Sequence, residues 1–598
     1  MTVEPTPTVS PTLEPPLPSG STTRLRLWPA ITALVLYWAA HFVVSRLETF
    51  YFIGFLFNLG SVALLAVFFI AWWSTNRRVK PRVRLYGFLL LVGAGLIVAP
   101  FCHNSIGWLG LLMNLPVVLT AWVLWILVAR RIRPSWQWSG SVVVIALALG
   151  YFTLIRMDGL DSNLHADTHW RWEPSAEELF LAERKRMAER TPDRSESSRV
   201  GESISLSSGD WVEFRGRNRD GVIHSIKIAT DWNTIPPRQL WRQRVGPAWS
   251  SVIVVGGRLY TQEQRGEQEA VVCYDAETGR ELWAHTDVAR FWESVSGAGP
   301  RATPTFADGR IYTLGGTGIL NCLDAAIGER YWSHDIAADV GTRPPQWGFS
   351  SSPLVTDGLV IVFAGGDGDK NLLAYHADTG NLAWAVPAGT TGYGSPYLAT
   401  LAGKRQCLLL SDLGLIAVDP ATGAVLWKGG AAMPGAPRYG QLHAIGEAQL
   451  LVGSYEMTSV TLLDVKRDGE NWSVVPRWTS KNLRPEFPDF VLHDGHAYGF
   501  DVSIFCCIDL ATGKRCWKEG RYGRGQVVLL ADQSLLLVMS ESGEAVLLSA
   551  NPERHEELGR LKALDGKTWN HPVIAHGRLY ARNAEEMACY ELAPAPSP

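Results

Sequence analysis

Charge is scarce in this chain. Of 598 residues only 19% are charged, while 47% are hydrophobic. The 55 Lys and Arg are offset by 58 Asp and Glu, for a net charge of −3. That balance leaves no basic footprint for nucleic acid, and no nucleic-acid partner is expected. Cysteine is sparse as well: there are eight, and none are spaced C-x-x-C. H-E-x-x-H and P-loop patterns are missing too, so zinc and nucleotide chemistry have no basis in the sequence. No short signal peptide with a small-residue cleavage site opens the chain. What is abundant is Trp (25), Gly (57) and Pro (34). Length alone suggests about four domains at ~150 residues each, but the residues are too unevenly distributed for four similar globules.

The apolar excess lies before residue 157. Residues 1–23 hold six prolines and read as a disordered cytoplasmic tail. Residues 24–156 then carry five apolar runs, near 27–45, 49–73, 85–101, 107–129 and 139–155. Each approaches the ~20 residues that a helix needs to cross a bilayer. Alternate loops differ in charge. One side has Arg24, Arg26, Arg77, Arg78, Lys80, Arg82, Arg84, Arg130, Arg131 and Arg133; the other has only Arg46 and Arg156. The positive-inside bias therefore predicts five transmembrane helices in the inner membrane, an N-terminus in the cytoplasm and everything after residue 156 outside it. His41, inside the first run, is expected to reach the interface rather than relay protons.

Residues 157–210 are polar and read as a tether. Ser175 and Glu178 form an S-x-x-E capping box for a helix running to about Arg190, stopped by Thr191-Pro192. The mixed charge of this stretch predicts a solvated spacer.

From residue 211 the chain repeats itself. Cys273-Tyr-Asp-Ala-Glu-Thr-Gly279-Arg-Glu-Leu-Trp283, Ala417-Val-Asp-Pro-Ala-Thr-Gly423-Ala-Val-Leu-Trp427 and Cys507-Ile-Asp-Leu-Ala-Thr-Gly513-Lys-Arg-Cys-Trp517 share one pattern. Cys322 to Trp332 and Tyr375 to Trp384 vary it, His376 replacing the Asp in the second. In each, Asp can bond turn N–H groups, Gly supplies a positive φ, and Trp is an apolar wedge between neighbouring sheets. Closing Trp residues fall at 241, 283, 332, 384, 427, 478 and 517, a spacing that suits four short strands per unit. A degenerate seventh unit follows. The last strands, to about Leu592, lack a partner, as does Leu240-Trp241. Pairing them hides both sheet edges. The fold expected is thus an all-β eight-bladed β-propeller over 211–592, its eighth blade built from both ends, with a short tail at 593–598.

The Gly-x-[LIV]-Tyr strand followed by Asp-x-x-Thr-Gly-x-x-x-Trp resembles the pyrroloquinoline-quinone (PQQ) repeat family. The stretches Trp211 to Gly221 and Gly299 to Pro304 are similar to its BamB-like members. The five runs ahead of the propeller resemble membrane-bound quinoprotein glucose dehydrogenase. That second resemblance implies a PQQ- and calcium-dependent dehydrogenase of alcohols or sugars. The first implies an extracytoplasmic scaffold. Blades of 39–52 residues leave little room for the inserted loops that build the dehydrogenase pocket, and no match to its catalytic Asp or calcium ligands stands out. The preferred reading is therefore a non-catalytic, membrane-anchored propeller with a protein or polymer partner and no cofactor.

Innermost strands line a propeller's channel, and their starting ends cluster on one face. Ser250, Arg301, Thr303, Trp347, Tyr393, Trp569, His571 and Arg582 lie there and form the candidate binding face. Arg301 is the first choice among them, having no evident structural duty. Cys273, Cys322, Cys507 and Cys589 share one repeat position and read as small buried residues. Cys507 and Cys516 face each other across a predicted hairpin and are a candidate disulfide. Asp367 and Asp369 read as turn residues rather than calcium ligands.

Overall fold

The computed structural model describes residues 26–47, 51–132, 134–162, 164–190, 204–430, 439–453, 459–485 and 490–596. The tail expected over 1–23 and Thr191-Pro192 lie outside the described residues. The chain divides into two units: Met1–Arg46 with Phe55–Arg156, and Leu47–Gly54 with Met157–Pro598.

All five apolar runs of the first unit are helical. Ile53–Thr75, Pro81–Phe101 and Trp136–Leu154 are long and apolar enough to cross a membrane. Gly107–Met113 and Leu115–Val128 make a fourth candidate if their 43° bend is one broken span. The break has a local cause, since Pro116 lacks the N–H that would continue the helix. Trp28–Val44, with 17 residues, is shorter. Five transmembrane helices were expected; three to four candidate spans are what length and composition support. Leu64, Ile97 and Leu147 among others are well exposed, a surface that suits lipid. His41 does not merely reach outward: its Nε2 lies 2.9 Å from Ser61 Oγ on the next helix.

The second unit is the eight-bladed propeller. Blade 1 holds strands Ile253–Val255, Arg258–Arg265, Gln268–Asp275 and Glu281–Val288. Blades 2 to 7 begin at Thr305, Leu354, Tyr397, Leu442, Val491 and Gln526. Blade 8 joins Val573–Ala575, Arg578–Arg582 and Glu586–Glu591 to Arg238–Arg244, with Cys589 opposite Trp241. Both chain ends thus share one sheet. The residues expected as a tail continue the closure, for Ala229 N–H donates to Ala593 O and Ala595 N–H to Lys227 O.

The repeated Trp is more than a wedge. Six of the seven indole N–H groups donate to a turn carbonyl of the next blade: Trp241 to Ala276, Trp283 to Ala325, Trp332 to Ala377, Trp384 to Pro420, Trp478 to Leu510 and Trp517 to Asn551, all within 2.9–3.3 Å; Trp427 donates instead to Gln406 Oε1 of its own blade at 2.6 Å. The ring also lies flat on that turn's glycine. A Cβ on Gly423, whose φ is +74°, would sit 2.8 Å from the Trp384 ring. Glycine is therefore required there twice, for its backbone and for its bareness. Blade 7 has Gly559 where the others have Trp, and Trp232 from the preceding linker fills the space.

The segment expected as a solvated spacer packs on the propeller. Its capping box forms as predicted, with Ser175 N–H to Glu178 at 2.7 Å and Glu178 N–H to Ser175 Oγ at 3.1 Å. The helix Ala176–Arg190 docks on blade 1 through Glu177 to Arg290 at 2.9 Å and through buried Phe180. Burying that ring contributes about 2 kcal/mol. Polar composition hid this because one aromatic and one ion pair suffice to dock a helix.

Candidate functional site

All inner strands start on one face of the propeller, here termed the mouth. The axis behind it is closed. Residues Trp211–Ile223 form a strap that touches every blade. Trp211 exchanges two backbone hydrogen bonds with Val254 of blade 1, and Val212 O accepts from Phe306 of blade 2. Arg219 donates to Ser352 O, Pro353 O and Pro396 O of blades 3 and 4. Arg215 meets His443 Nε2 of blade 5 at 3.1 Å and Phe490 O, beside blade 6, at 2.7 Å. Val222 and Ile223 pair in parallel with Leu529 and Leu530 of blade 7. The ring of Phe214 lies 6.1 Å from that of His571, at blade 8. Arg215 and Arg219 are 1% and 2% exposed. Only a guanidinium, with five donors in a planar fork, reaches so many carbonyls at once. Glu213 balances Arg219 at 2.6 Å. Burial raises its carboxyl above the ordinary carboxylate range, and Arg219 opposes that shift.

At the mouth, hydroxyls stitch the blades together. Ser251 N–H donates to Thr303 Oγ1 at 3.1 Å, Thr303 N–H to Ser352 Oγ at 2.9 Å, Ser352 N–H to Ser395 Oγ at 2.9 Å, and Ser395 N–H to Gln441 Oε1 at 3.1 Å. Asn570 and Ser251 extend the chain between blades 8 and 1. This belt runs from blade 8 through blade 5.

Several expected binding residues are therefore structural. Thr303 belongs to the belt. Ser250 is buried and donates to Ser251 O. His571 is buried, its Nδ1 2.8 Å from Pro572 O. Arg582 is enclosed by Thr261 Oγ1, Gln262 O and Gly246 O, and burial lowers its pKa. Arg301 does have a structural duty. It holds the loop at Glu293–Gly299 through Glu293 (3.2 Å), Gly297 O and Gly299 O, and its guanidinium lies 4.5 Å over the Phe291 ring. Burial brings its pKa down to about 10.

The remaining three residues present aromatic surface in two clusters. Trp569 packs 5.0 Å from Trp249, under Lys567. Lys567 also donates to Leu160 O of the tether at 3.0 Å, so the tether covers that cluster. Trp347 and Tyr393, 5.2 Å apart, form the second cluster with Tyr439, which lies 5.5 Å from each. Burial pushes the Tyr393 phenol up to about 12. Beside this cluster, between blades 3 and 4, is a cavity of about 300 Å³. Between blades 1 and 2, Glu269 sits with one oxygen on Gly316 N–H at 3.0 Å, and burial raises its carboxyl to about 7.

Sequence reasoning missed Tyr439, Glu269, Lys567 and the two strap arginines. Three arginines within five residues (215, 217 and 219) in an otherwise sparsely charged chain were the available signal for the strap.

The cysteines behave as buried residues. Cys506 and Cys507 lie in different inter-blade cores, because neighbours on a strand point to opposite faces. They are therefore not a pair beside the mouth. Burial raises the thiols, Cys273 to about 12 and Cys322 to about 11. The Cys507–Cys516 disulfide is not formed; both thiols are free, Cys507 buried and Cys516 exposed. A β-bulge sets Trp517, not Cys516, opposite Cys507. Among the described residues no three His, Cys, Asp or Glu side chains cluster as a metal-ion site. The set that would hold PQQ and calcium on the axis does not fit the residues found there: the strap crosses it, and the hydroxyls of Thr303, Ser352 and Ser395 are committed to the belt.

The sequence family described as outer membrane protein assembly factor BamB matches residues 271–519. A quinohemoprotein alcohol dehydrogenase, ADH-IIG of Pseudomonas putida, is 30% identical over 194 residues, 29% of this chain and 25% of that protein. Outer membrane protein assembly factor BamB of Burkholderia pseudomallei (strain K96243) is 26% identical over 322 residues, 49% of this chain and 74% of that protein. This chain thus spans a quarter of the dehydrogenase and about three quarters of the assembly factor. Among solved structures, BamB from Moraxella catarrhalis has a TM-score of 0.44 at 16% identity, over 59% of this chain and 99% of that one. Quinohemoprotein alcohol dehydrogenase from Comamonas testosteroni has 0.42 at 13%, over 68% and 84%. The repeat, the Trp-to-turn clasp and the match over 271–519 agree in likening this chain to the PQQ-like β-propellers.

Proposed function

We propose that this chain is a membrane-anchored, non-catalytic propeller whose mouth binds a protein or polymer partner outside the cytoplasm. Five spans with a cytoplasmic N-terminus, in the inner membrane, would carry it. The observation that supports the reading is the strap: an axis closed across all eight blades leaves rim surface for recognition and no central chamber for a cofactor. The likeness to an assembly factor accords with a protein partner. The 30% identity to a quinohemoprotein alcohol dehydrogenase favours a second reading, a membrane-bound PQQ-dependent dehydrogenase of alcohols or sugars.

One titration separates the two. Full-length protein in lipid nanodiscs is titrated with PQQ in the presence of calcium and followed by absorbance. No saturable binding is expected; bound quinone with dye-linked dehydrogenase activity would establish the second reading instead. The topology has its own probe. Cys516 is the exposed cysteine among the eight. A membrane-impermeant maleimide should label it in spheroplasts after mild reduction. Labelling that requires lysis would refute an external propeller.

A further inference from the structure

We infer that the cavity between blades 3 and 4 is a saccharide subsite that takes one neutral sugar unit of a larger glycan. This rests on the binding-module reading and names the chemistry of its partner.

Four observations converge. The first is a plate. The half-buried Trp347 ring is braced by Tyr393 and Tyr439, themselves stacked 10° from parallel. An indole held this way offers a flat apolar face to the C–H face of a pyranose. The second is mixed polarity at the rim. Arg343 and Asp367, on two loop segments of the wall, bring donors and acceptors to the rim. An anion would face Asp367 and a cation Arg343, so a neutral ligand rich in both donors and acceptors fits best. An apolar side chain would desolvate both charges without replacing their hydrogen bonds.

The third is Ser351. It lines the cavity at 2% exposure, and its hydroxyl has no hydrogen-bond partner. Its neighbour Ser352 and the equivalent Ser395 are both used in the belt. A buried hydroxyl left unmet carries a desolvation penalty, which a ligand hydroxyl would recover. The fourth is rigidity. Asn371 Nδ2 donates to Gly365 O, Gly366 O and Gly368 O at 2.8–3.1 Å, and Asp412 accepts from Thr390 and Thr391 N–H. Gly366 has a φ of +90°, and a Cβ there would lie 2.8 Å from Thr342. The walls are thus set before any ligand arrives, which lowers the ordering cost of binding. At about 300 Å³ the volume is at the low end for small-molecule sites, room for one ring and part of the next.

The test uses full-length protein in lipid nanodiscs and tryptophan fluorescence. The probes are maltotriose and N,N′,N″-triacetylchitotriose, with citrate and spermidine as charged comparisons. At least one trisaccharide should bind saturably, and neither charged compound should. Trp347→Ala should weaken binding about tenfold or more, and Ser351→Ala severalfold. Trp472→Phe, on the outermost strand of blade 5, should leave it unchanged. Unaltered denaturation midpoints show that the variants fold. If neither trisaccharide saturates, or Trp347→Ala binds as tightly as the parent, the inference falls. The PQQ titration reads the underlying proposal separately: quinone binding overturns the module reading, whereas a chain that binds neither quinone nor trisaccharide overturns the saccharide inference alone.

Discussion

Replacing Arg219 with Met tests whether the strap is what locks the propeller. The substitution keeps the aliphatic stem and removes the guanidinium. It deletes the bonds to Ser352 O, Pro353 O and Pro396 O and leaves Glu213, 14% exposed at its side chain, without its cation. Hydrogen bonds from a charged donor contribute roughly 1.5–3 kcal/mol each, but three on one group do not add. Breaking a buried ion pair typically costs about 3–5 kcal/mol, and that is the loss expected. For a unit of this size it amounts to a fall in Tm of about 3–6 °C. Urea denaturation of nanodisc-held protein, read by propeller tryptophan fluorescence, measures it.

The sign of the pH dependence is part of the same expectation. In the variant only the charge of Arg217 still opposes the burial that raises Glu213, so its folded-state pKa stands further above the unfolded value. A raised carboxyl stabilises fully below its unfolded pKa and loses that contribution as pH rises through the folded pKa. The deficit of Arg219→Met should therefore shrink toward pH 5 and grow toward pH 8. Adding Glu213→Gln should recover part of it and flatten the pH profile. A loss under about 1 kcal/mol, or no recovery in the double variant, would refute the strap as a lock.

Other perturbations follow from the same contacts. Glu269, raised to about 7, should make the parent lose stability as pH rises from about 4.5 to 7, on the order of 2–3 kcal/mol, a slope that Glu269→Gln abolishes in urea midpoints taken across that range. Trp384→Ala should cost about 3–5 kcal/mol through lost packing and the lost bond to Pro420 O, and Gly423→Ala, which drives a methyl into that indole, should also destabilise, both by thermal denaturation. Thr303→Val keeps the shape and strands Ser251 N–H, so a loss of about 1–3 kcal/mol with little change in far-UV dichroism is expected.

Much of this protein was legible from one dimension. Asp, Gly and Trp at fixed offsets encode a turn and a wedge using residues within a dozen positions of one another, so the blades could be counted. The closure of blade 8 followed because an unpaired edge at each end admits one remedy. The site was less legible. Arg301, Thr303 and Arg582 read as ligand groups because residue type says nothing about which atoms a neighbouring blade has already taken. Arg301 is committed to a loop around residues 293–299, Thr303 to the Ser251 N–H and the Ser352 hydroxyl, some 50 residues away on either side, and Arg582 to Thr261, 321 positions distant. Likewise the docking of the tether helix, the filling of the blade 7 gap by Trp232, and the gathering of Trp347, Tyr393 and Tyr439 beside an unmet Ser351 hydroxyl are long-range arrangements. The chain by itself determined the periodic, local part of the molecule, because backbone geometry and side-chain volume act between near neighbours. Which polar groups were left over for recognition was decided by tertiary closure, because satisfying buried hydrogen bonds is a property of the whole ring.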